Sequence, residues 1–244
     1  MTDPAGQYHE LSVAEAMARS TNASLLDRFL EGFALSDKVL RHYASLMEQR
    51  SALALDNPCF VAHRSLLPRL ADDLRGVWHL SGFGYWLQAL TLSAAAVEIW
   101  ATLGYIAWYK DRAAKWLSWQ RSHATPWSVA AMIPGAIEAW NGPDEAFVTS
   151  MRRWYTFACM AKHANPSLQL RSLGAITAAD HALASLPELY PNVHKAMFIT
   201  LYSTLQLTYF TCGALFADDT GLPEDLLDAA RDLSDAMVRI AKPR

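Results

Sequence analysis

The residues whose types could do chemistry are concentrated in one stretch, RRWYTFACMAKHANPS. It begins with Arg152 and Arg153 and closes with Lys162, His163 and Asn165. Guanidinium and ammonium groups bind phosphate or carboxylate, and a histidine takes up or releases a proton near neutral pH. The same basic residues also suit the negative end of a helix that the following proline would stop. The stretch is therefore either an ordinary helix end or the edge of a polar site.

Glu98 is the second candidate, because it is the one acidic or basic residue other than histidine between Gly76 and Tyr109. A carboxylate buried alone is costly, so Glu98 should either meet a cation or face a groove. The cations available to it are the arginines, the lysine and the histidine of the 152–163 stretch. We expect a structural ion pair or, alternatively, a polar pocket inside the protein. Glu98, Arg152 and Asn165 are the candidate ligand-binding residues.

Several kinds of site are excluded by the motifs that the sequence lacks. It has no Gly-x-x-x-x-Gly-Lys or Gly-x-Gly-x-x-Gly loop, and no Glu-x-x-His or His-x-x-x-His pair for a metal. Cys159 and His163 could share a helix face, but two ligands need at least a third from elsewhere. Paired acids such as Asp72 and Asp73 are interpreted as solvated or helix-capping. We therefore expect no metal and no cofactor.

Composition narrows the class of protein further. The chain has 244 residues and a formal net charge of −3, with acids and bases mixed along it, which argues against duplex DNA as a partner. Cys59, Cys159 and Cys212 lie far apart and form no Cys-x-x-Cys motif. The N-terminus is polar and does not resemble a signal peptide. These features predict a cytoplasmic protein.

The elements that must position the candidate residues are predicted to be helices. Apolar residues recur every three or four positions almost throughout, and no alternating run is long enough for a strand. We expect one all-α domain over 1–244, a bundle of six to nine helices around two buried central ones at about 85–109 and 193–216. An N-terminal arm is assigned to 1–21, and an irregular connector rich in proline and glycine, with one or two short helical turns, to 122–143.

The apolar segments and the aromatic residues leave two alternatives open. Both central segments are long enough to span a bilayer, but their many polar residues favour buried helices, so membrane association is the less favoured alternative. The nine tryptophans could line a ligand cavity, stack bases, or pack in a core or dimer surface. Trp116 and Trp119 are the ones we expect to be exposed, and a homodimer through aromatic helices is predicted.

One resemblance bears on function. The run LTLSAAAVEIWATLGYIAWYKDRAAKWLSW followed by RRWYTFACMAKHANPS resembles uncharacterised helical bundles of the HEPN-like kind, over residues 66–217. The resemblance implies a nucleotide-binding module or a metal-independent ribonuclease of a toxin or defence system. In such a nuclease, an arginine would hold the scissile phosphate and a histidine would move the proton.

The sequence departs from that nuclease pattern, which has an arginine followed after a few residues by a histidine. Nine residues separate Arg153 from His163, so on one helix they would lie about 15 Å apart along the axis. We therefore expect a module that binds a nucleotide, RNA, a small molecule or a protein partner without efficient catalysis. The alternative is a ribonuclease in which His163 is the base and Arg153 or Lys162 binds phosphate.

Overall fold

The computed structural model describes residues 4–51, 57–107, 109–119, 126–141, 144–163, 194, 197–202 and 223–241. All regular structure in these ranges is helical, which confirms the predicted all-α class. The helices are α1 (Pro4–Thr21), α2 (Ala23–Gln49), α3 (Pro58–Gly82), α4 (Trp86–Ile106), α5 (Lys110–Ser118), α6 (Val129–Asn141), α7 (Glu145–Lys162) and α8 (Glu224–Ala241). Residues 197–202 are also helical.

Helix α4 lies at the centre, as its apolar composition predicts. It packs against α3, α6 and α7, and several of its large side chains, among them Trp100 and Leu103, are fully buried. A helix that is apolar on all sides is stable when every side is covered. By length and composition α4 could also cross a membrane, but 67% of its most apolar window is buried inside the bundle. That burial is what a core helix shows.

The second predicted central helix falls largely outside the described residues. Within it, Met197 and Leu201 are fully buried. The hydroxyl of Thr200 donates to the hydroxyl of Ser93 at 3.2 Å, which ties this segment to α4. The described part therefore lies against the centre of the bundle, as expected.

Helices α2 and α8 pair through amphipathic faces. Their buried apolar residues follow the predicted three- and four-residue spacing: Leu25, Leu26, Phe29, Phe33, Leu40, Tyr43 and Met47 on α2, and Leu226, Ala230, Leu233, Met237 and Ile240 on α8. The Arg28 guanidinium on α2 donates to the backbone carbonyl of Ile240, near the end of α8, where carbonyls lack helical partners.

Helix α3 begins and ends through polar contacts that satisfy its terminal groups. The Asn57 side chain accepts from the amides of Cys59 and Phe60 at 3.1 and 3.4 Å, and Pro58 occupies the first turn. The helix stops at the Ser-Gly-Phe-Gly sequence, where Gly84 has φ 81°. Helices α3 and α4 are therefore separate. The side chain of Asn22, the residue before α2, makes no capping hydrogen bond to that helix and donates to the carbonyl of Gly82 at 3.3 Å.

Two segment assignments differ from the structure. The N-terminal arm is helical from Pro4 to Thr21, and the connector assigned to 122–143 contains helix α6 over Val129–Asn141. Met132, Ile133, Ala136 and Ile137 of α6 are buried and pack in the core. Burial of this apolar face offsets the cost of Pro134, which stands inside the helix and donates no amide hydrogen bond.

Candidate functional site

Glu98 of α4 is held by two side chains of α7. The Lys162 ammonium lies 2.7 Å from Glu98 Oε1, and the Tyr155 hydroxyl donates to the same oxygen at 2.8 Å. Tyr155 and Lys162 are seven residues apart, so two turns of helix place them on one face. The sequence predicted an ion pair for Glu98 and named four cations, and Lys162 is the one that forms it.

The Tyr155 hydroxyl stays protonated and therefore acts as a donor. Burial, together with hydrogen bonds to Cys159 and Glu98, raises the pKa of Tyr155 well above its usual range. With the hydroxyl and the ammonium both on Oε1, the carboxylate is fixed in position. The ion pair is partly exposed (29% for the Glu98 side chain), so it contributes more to the orientation of Glu98 than to the stability of the protein.

Glu98 also faces a cavity of about 180 Å³, which we call the tryptophan pocket. Its wall comprises Trp116, Trp119 and Trp127, apolar side chains from α3, α4 and α6, and two polar residues, Glu98 and Thr102. The Thr102 hydroxyl donates to the backbone carbonyl of Glu98 at 2.8 Å. The ion pair expected for Glu98 is therefore present, and the cavity that Glu98 faces is mainly aromatic and apolar, unlike the polar pocket of the alternative.

The aromatic wall continues outward through contacts with cations. The Trp127 ring meets Tyr105 edge to face at 5.2 Å, and the Lys115 ammonium lies 5.2 Å from the centre of the Trp127 ring. The Arg112 guanidinium lies over Tyr105 and Tyr109, at 4.2 and 3.9 Å. An electron-rich ring face attracts positive charge, so these contacts fix the rings beside the pocket.

The other predicted site residues do not gather at this pocket. The Arg152 guanidinium donates twice to the carbonyl of Ala130 on α6, at 3.0 and 2.8 Å. Arg153 is exposed, and His163 is an exposed residue at the end of α7. Asn165 lies outside the described residues. Within the described part of the chain, Glu98 and Lys162 are the predicted residues that meet.

The contact of Arg152 has a structural explanation. In a helix, the amide four residues ahead donates to each carbonyl, and for Ala130 that residue is Pro134, which has no amide hydrogen. The carbonyl that the proline leaves open is the one that Arg152 satisfies. This contact gives Arg152 a role in holding α6 against α7.

Sequence reasoning misinterpreted Asp73, which was assigned to the solvated acids. Asp73 is 2% exposed and accepts from the Arg69 guanidinium at 2.9 Å through Oδ1, and no described residue donates to its Oδ2. Burial raises its pKa, as do the nearby charges of Asp72 and Glu98, whereas Arg69 lowers it. Asp72 is exposed as expected. Asp73 lies on the same face of α3 as Leu66 and Leu70, and this spacing was the signal in the sequence that it would be buried.

A larger groove of about 350 Å³ lies between α2 and α3 and was also missed. Its floor is apolar, and its rim carries Arg41, Arg64 and Arg75. Asp37 pairs with Arg41 at 2.9 Å and with Arg75 at 2.8 Å, and Glu48 pairs with Arg64 at 2.7 Å. The rim charges are therefore largely matched within the protein.

The described residues include no group of three or more histidine, cysteine, aspartate or glutamate side chains placed to hold a metal ion. Comparisons with family models, with curated proteins and with solved structures give no significant match. The HEPN-like resemblance therefore stays a prediction, and the argument for function depends on the site itself.

Proposed function

We propose that the protein is a ligand-binding module whose site is the tryptophan pocket. The observation that carries the proposal is Glu98, a fixed carboxylate in the wall of an aromatic cavity. Binding sites are typically concave and apolar, with a few polar groups that fix the orientation of the ligand. Tyr155 and Lys162 fix this polar group before any ligand arrives, and preorganisation of that kind lowers the cost of binding.

The size of the pocket selects small ligands. At about 180 Å³ it lies below the volumes of roughly 300–1,000 Å³ that are usual for drug-sized molecules. Among the described residues that line it, none is a lysine or arginine that could neutralise a phosphate. A small molecule therefore fits better than a nucleotide or an RNA strand, both of which the sequence left open.

The test is a panel of small amines, alcohols, carboxylates and nucleosides added to protein labelled with fluorotryptophan. Fluorine NMR resonances are assigned by tryptophan-to-phenylalanine variants. We expect at least one class to shift the Trp116 and Trp127 resonances and to leave the resonance of Trp78, which packs on Phe33 of α2, unchanged. If no class moves Trp116 or Trp127, or all tryptophans shift alike, this pocket is not a binding site.

The ribonuclease alternative has its own test. It needs His163 and a phosphate-binding cation, either Arg153 or Lys162. Lys162 is engaged by Glu98 at 2.7 Å, and Arg153 is exposed but lies about 15 Å along the helix axis from His163. We expect purified protein in EDTA to leave RNA intact. Cleavage that disappears in His163→Ala would support the nuclease instead, whereas cleavage that survives this change would indicate a contaminant.

A further inference from the structure

We propose that the tryptophan pocket takes a small organic cation of the substituted-ammonium class, held against the indole faces and balanced by Glu98. The inference rests on the proposed function and names the chemistry of its ligand. The indole is the side chain whose ring face attracts cations best, and the pocket wall contains three of them. Glu98 is the one carboxylate among the described residues of that wall.

The carboxylate keeps an oxygen for the ligand. Tyr155 and Lys162 both donate to Oε1 of Glu98, and no hydrogen bond to Oε2 is formed by the described part of the chain. A carboxylate accepts at both oxygens, so Oε2 has capacity for a further positive partner. An ammonium at the pocket wall would use this oxygen without displacing the two donors.

The protein already places an ammonium on one of these rings. Lys115 Nζ lies 5.2 Å from the centre of the Trp127 ring, within the range of a cation–π contact. This contact shows that the position of Trp127 allows such an interaction.

The decisive experiment compares choline with dimethylbutanol, its neutral isostere in which carbon replaces nitrogen. Calorimetric titration at constant ionic strength should show choline binding about tenfold more tightly, the factor expected from one or two cation–π contacts and an opposite charge. Glu98→Gln should weaken choline binding about tenfold and leave dimethylbutanol unchanged.

A matched ion pair elsewhere supplies the control. Glu31 on α2 and Arg239 on α8 lie 2.6 Å apart and are exposed, so Glu31→Gln removes a paired carboxylate that does not line the tryptophan pocket. This change should leave the ratio of the two affinities unaltered. Circular dichroism confirms that each variant is folded before titration.

The outcomes separate this inference from the proposed function. If dimethylbutanol binds as tightly as choline, or Glu98→Gln leaves choline binding unchanged, the cation proposal is overturned while the pocket remains a binding site. The same holds if choline fails to bind but another class in the panel shifts Trp116 and Trp127. Both proposals are refuted only if no ligand class in the panel shifts the Trp116 and Trp127 resonances.

Discussion

His63 is a buried titratable residue on α3 that makes the stability of the protein depend on pH. It is fully buried, its Nδ1 lies 2.7 Å from the Cys59 carbonyl oxygen, and its Nε2 has no hydrogen-bond partner within the described ranges. Burial lowers the pKa of His63 from 6.5 to about 4, although its contact with the Cys59 carbonyl raises it somewhat. The unfolded chain therefore binds a proton between these two pH values that the folded protein does not.

The first prediction concerns that pH window. The His63 contribution is fully present above pH 6.5 and is lost as the pH falls towards about 4, by about 3 kcal/mol in the free energy of unfolding. His63→Gln keeps a donor for Cys59 but does not titrate, so its stability should fall less over this range. Urea unfolding of both proteins between pH 7 and pH 4 measures the difference. Parallel curves would contradict the assignment.

Asp73 has the opposite dependence. Because burial raises its pKa, the folded protein holds a proton that the unfolded chain releases, and stability falls as the pH rises from 3.8 through the raised value. Asp73→Asn should therefore gain stability relative to the wild type as the pH increases, on the order of 1 kcal/mol at pH 7. Asp72→Asn, at an exposed neighbour, is the control. A gain that is equal in both variants would show that burial is not the cause.

At the scale of the elements, the contact between α6 and α7 depends on a proline and an arginine together. Arg152 donates to the Ala130 carbonyl because Pro134 cannot. Arg152→Met should lower the free energy of unfolding by about 1 kcal/mol, the usual net value of one hydrogen bond. In a Pro134→Ala background the helix supplies its own amide, so the same change should cost almost nothing.

A double-mutant cycle of thermal or urea unfolding gives the coupling between the two positions. Arg153→Met, a change at the adjacent and exposed arginine, should be neutral in both backgrounds. If Arg152→Met lowers the free energy of unfolding equally with and without Pro134, then Arg152 does not compensate for the proline.

These contacts show which parts of the structure the sequence can predict. Helical periodicity was enough for the long helices, because a buried face repeats locally. It failed for α6, where Pro134 and the neighbouring glycines were interpreted as breaks, since the arginine that compensates lies 22 positions from Ala130. Asn22 likewise caps a helix end 60 positions away. Such pairings depend on how helices cross, which local patterns do not encode.

At the candidate site, too, some features follow from local sequence and others depend on how the helices pack. The need of Glu98 for a partner follows from its apolar surroundings and was predicted. The choice of Lys162 among four cations depends on the rotation of α7 about its axis against α4, which puts Tyr155 and Lys162 on the facing side. The pocket was anticipated only as an alternative, because its wall combines α3, α4, α5 and α6 with residues 126–127.

At the scale of the whole molecule, the question is whether α4 faces protein or lipid. Its composition suits either, but Val97 and Trp100 are at most 1% exposed, and Glu98 is paired with Lys162 from a neighbouring helix. A transmembrane helix would present its apolar side chains to lipid, whereas these are covered by α3, α6 and α7.

The last prediction follows from that packing. We expect the purified protein to stay in the supernatant on ultracentrifugation without detergent and not to float with phospholipid vesicles. Val97→Lys places an unpaired charge at a fully buried position and should unfold the protein, while Gln88→Lys, at an exposed position of the same helix, should leave its melting curve unchanged. Flotation of the wild-type protein with vesicles, or equal tolerance of both lysines, would mean that α4 is not an inner helix of this bundle.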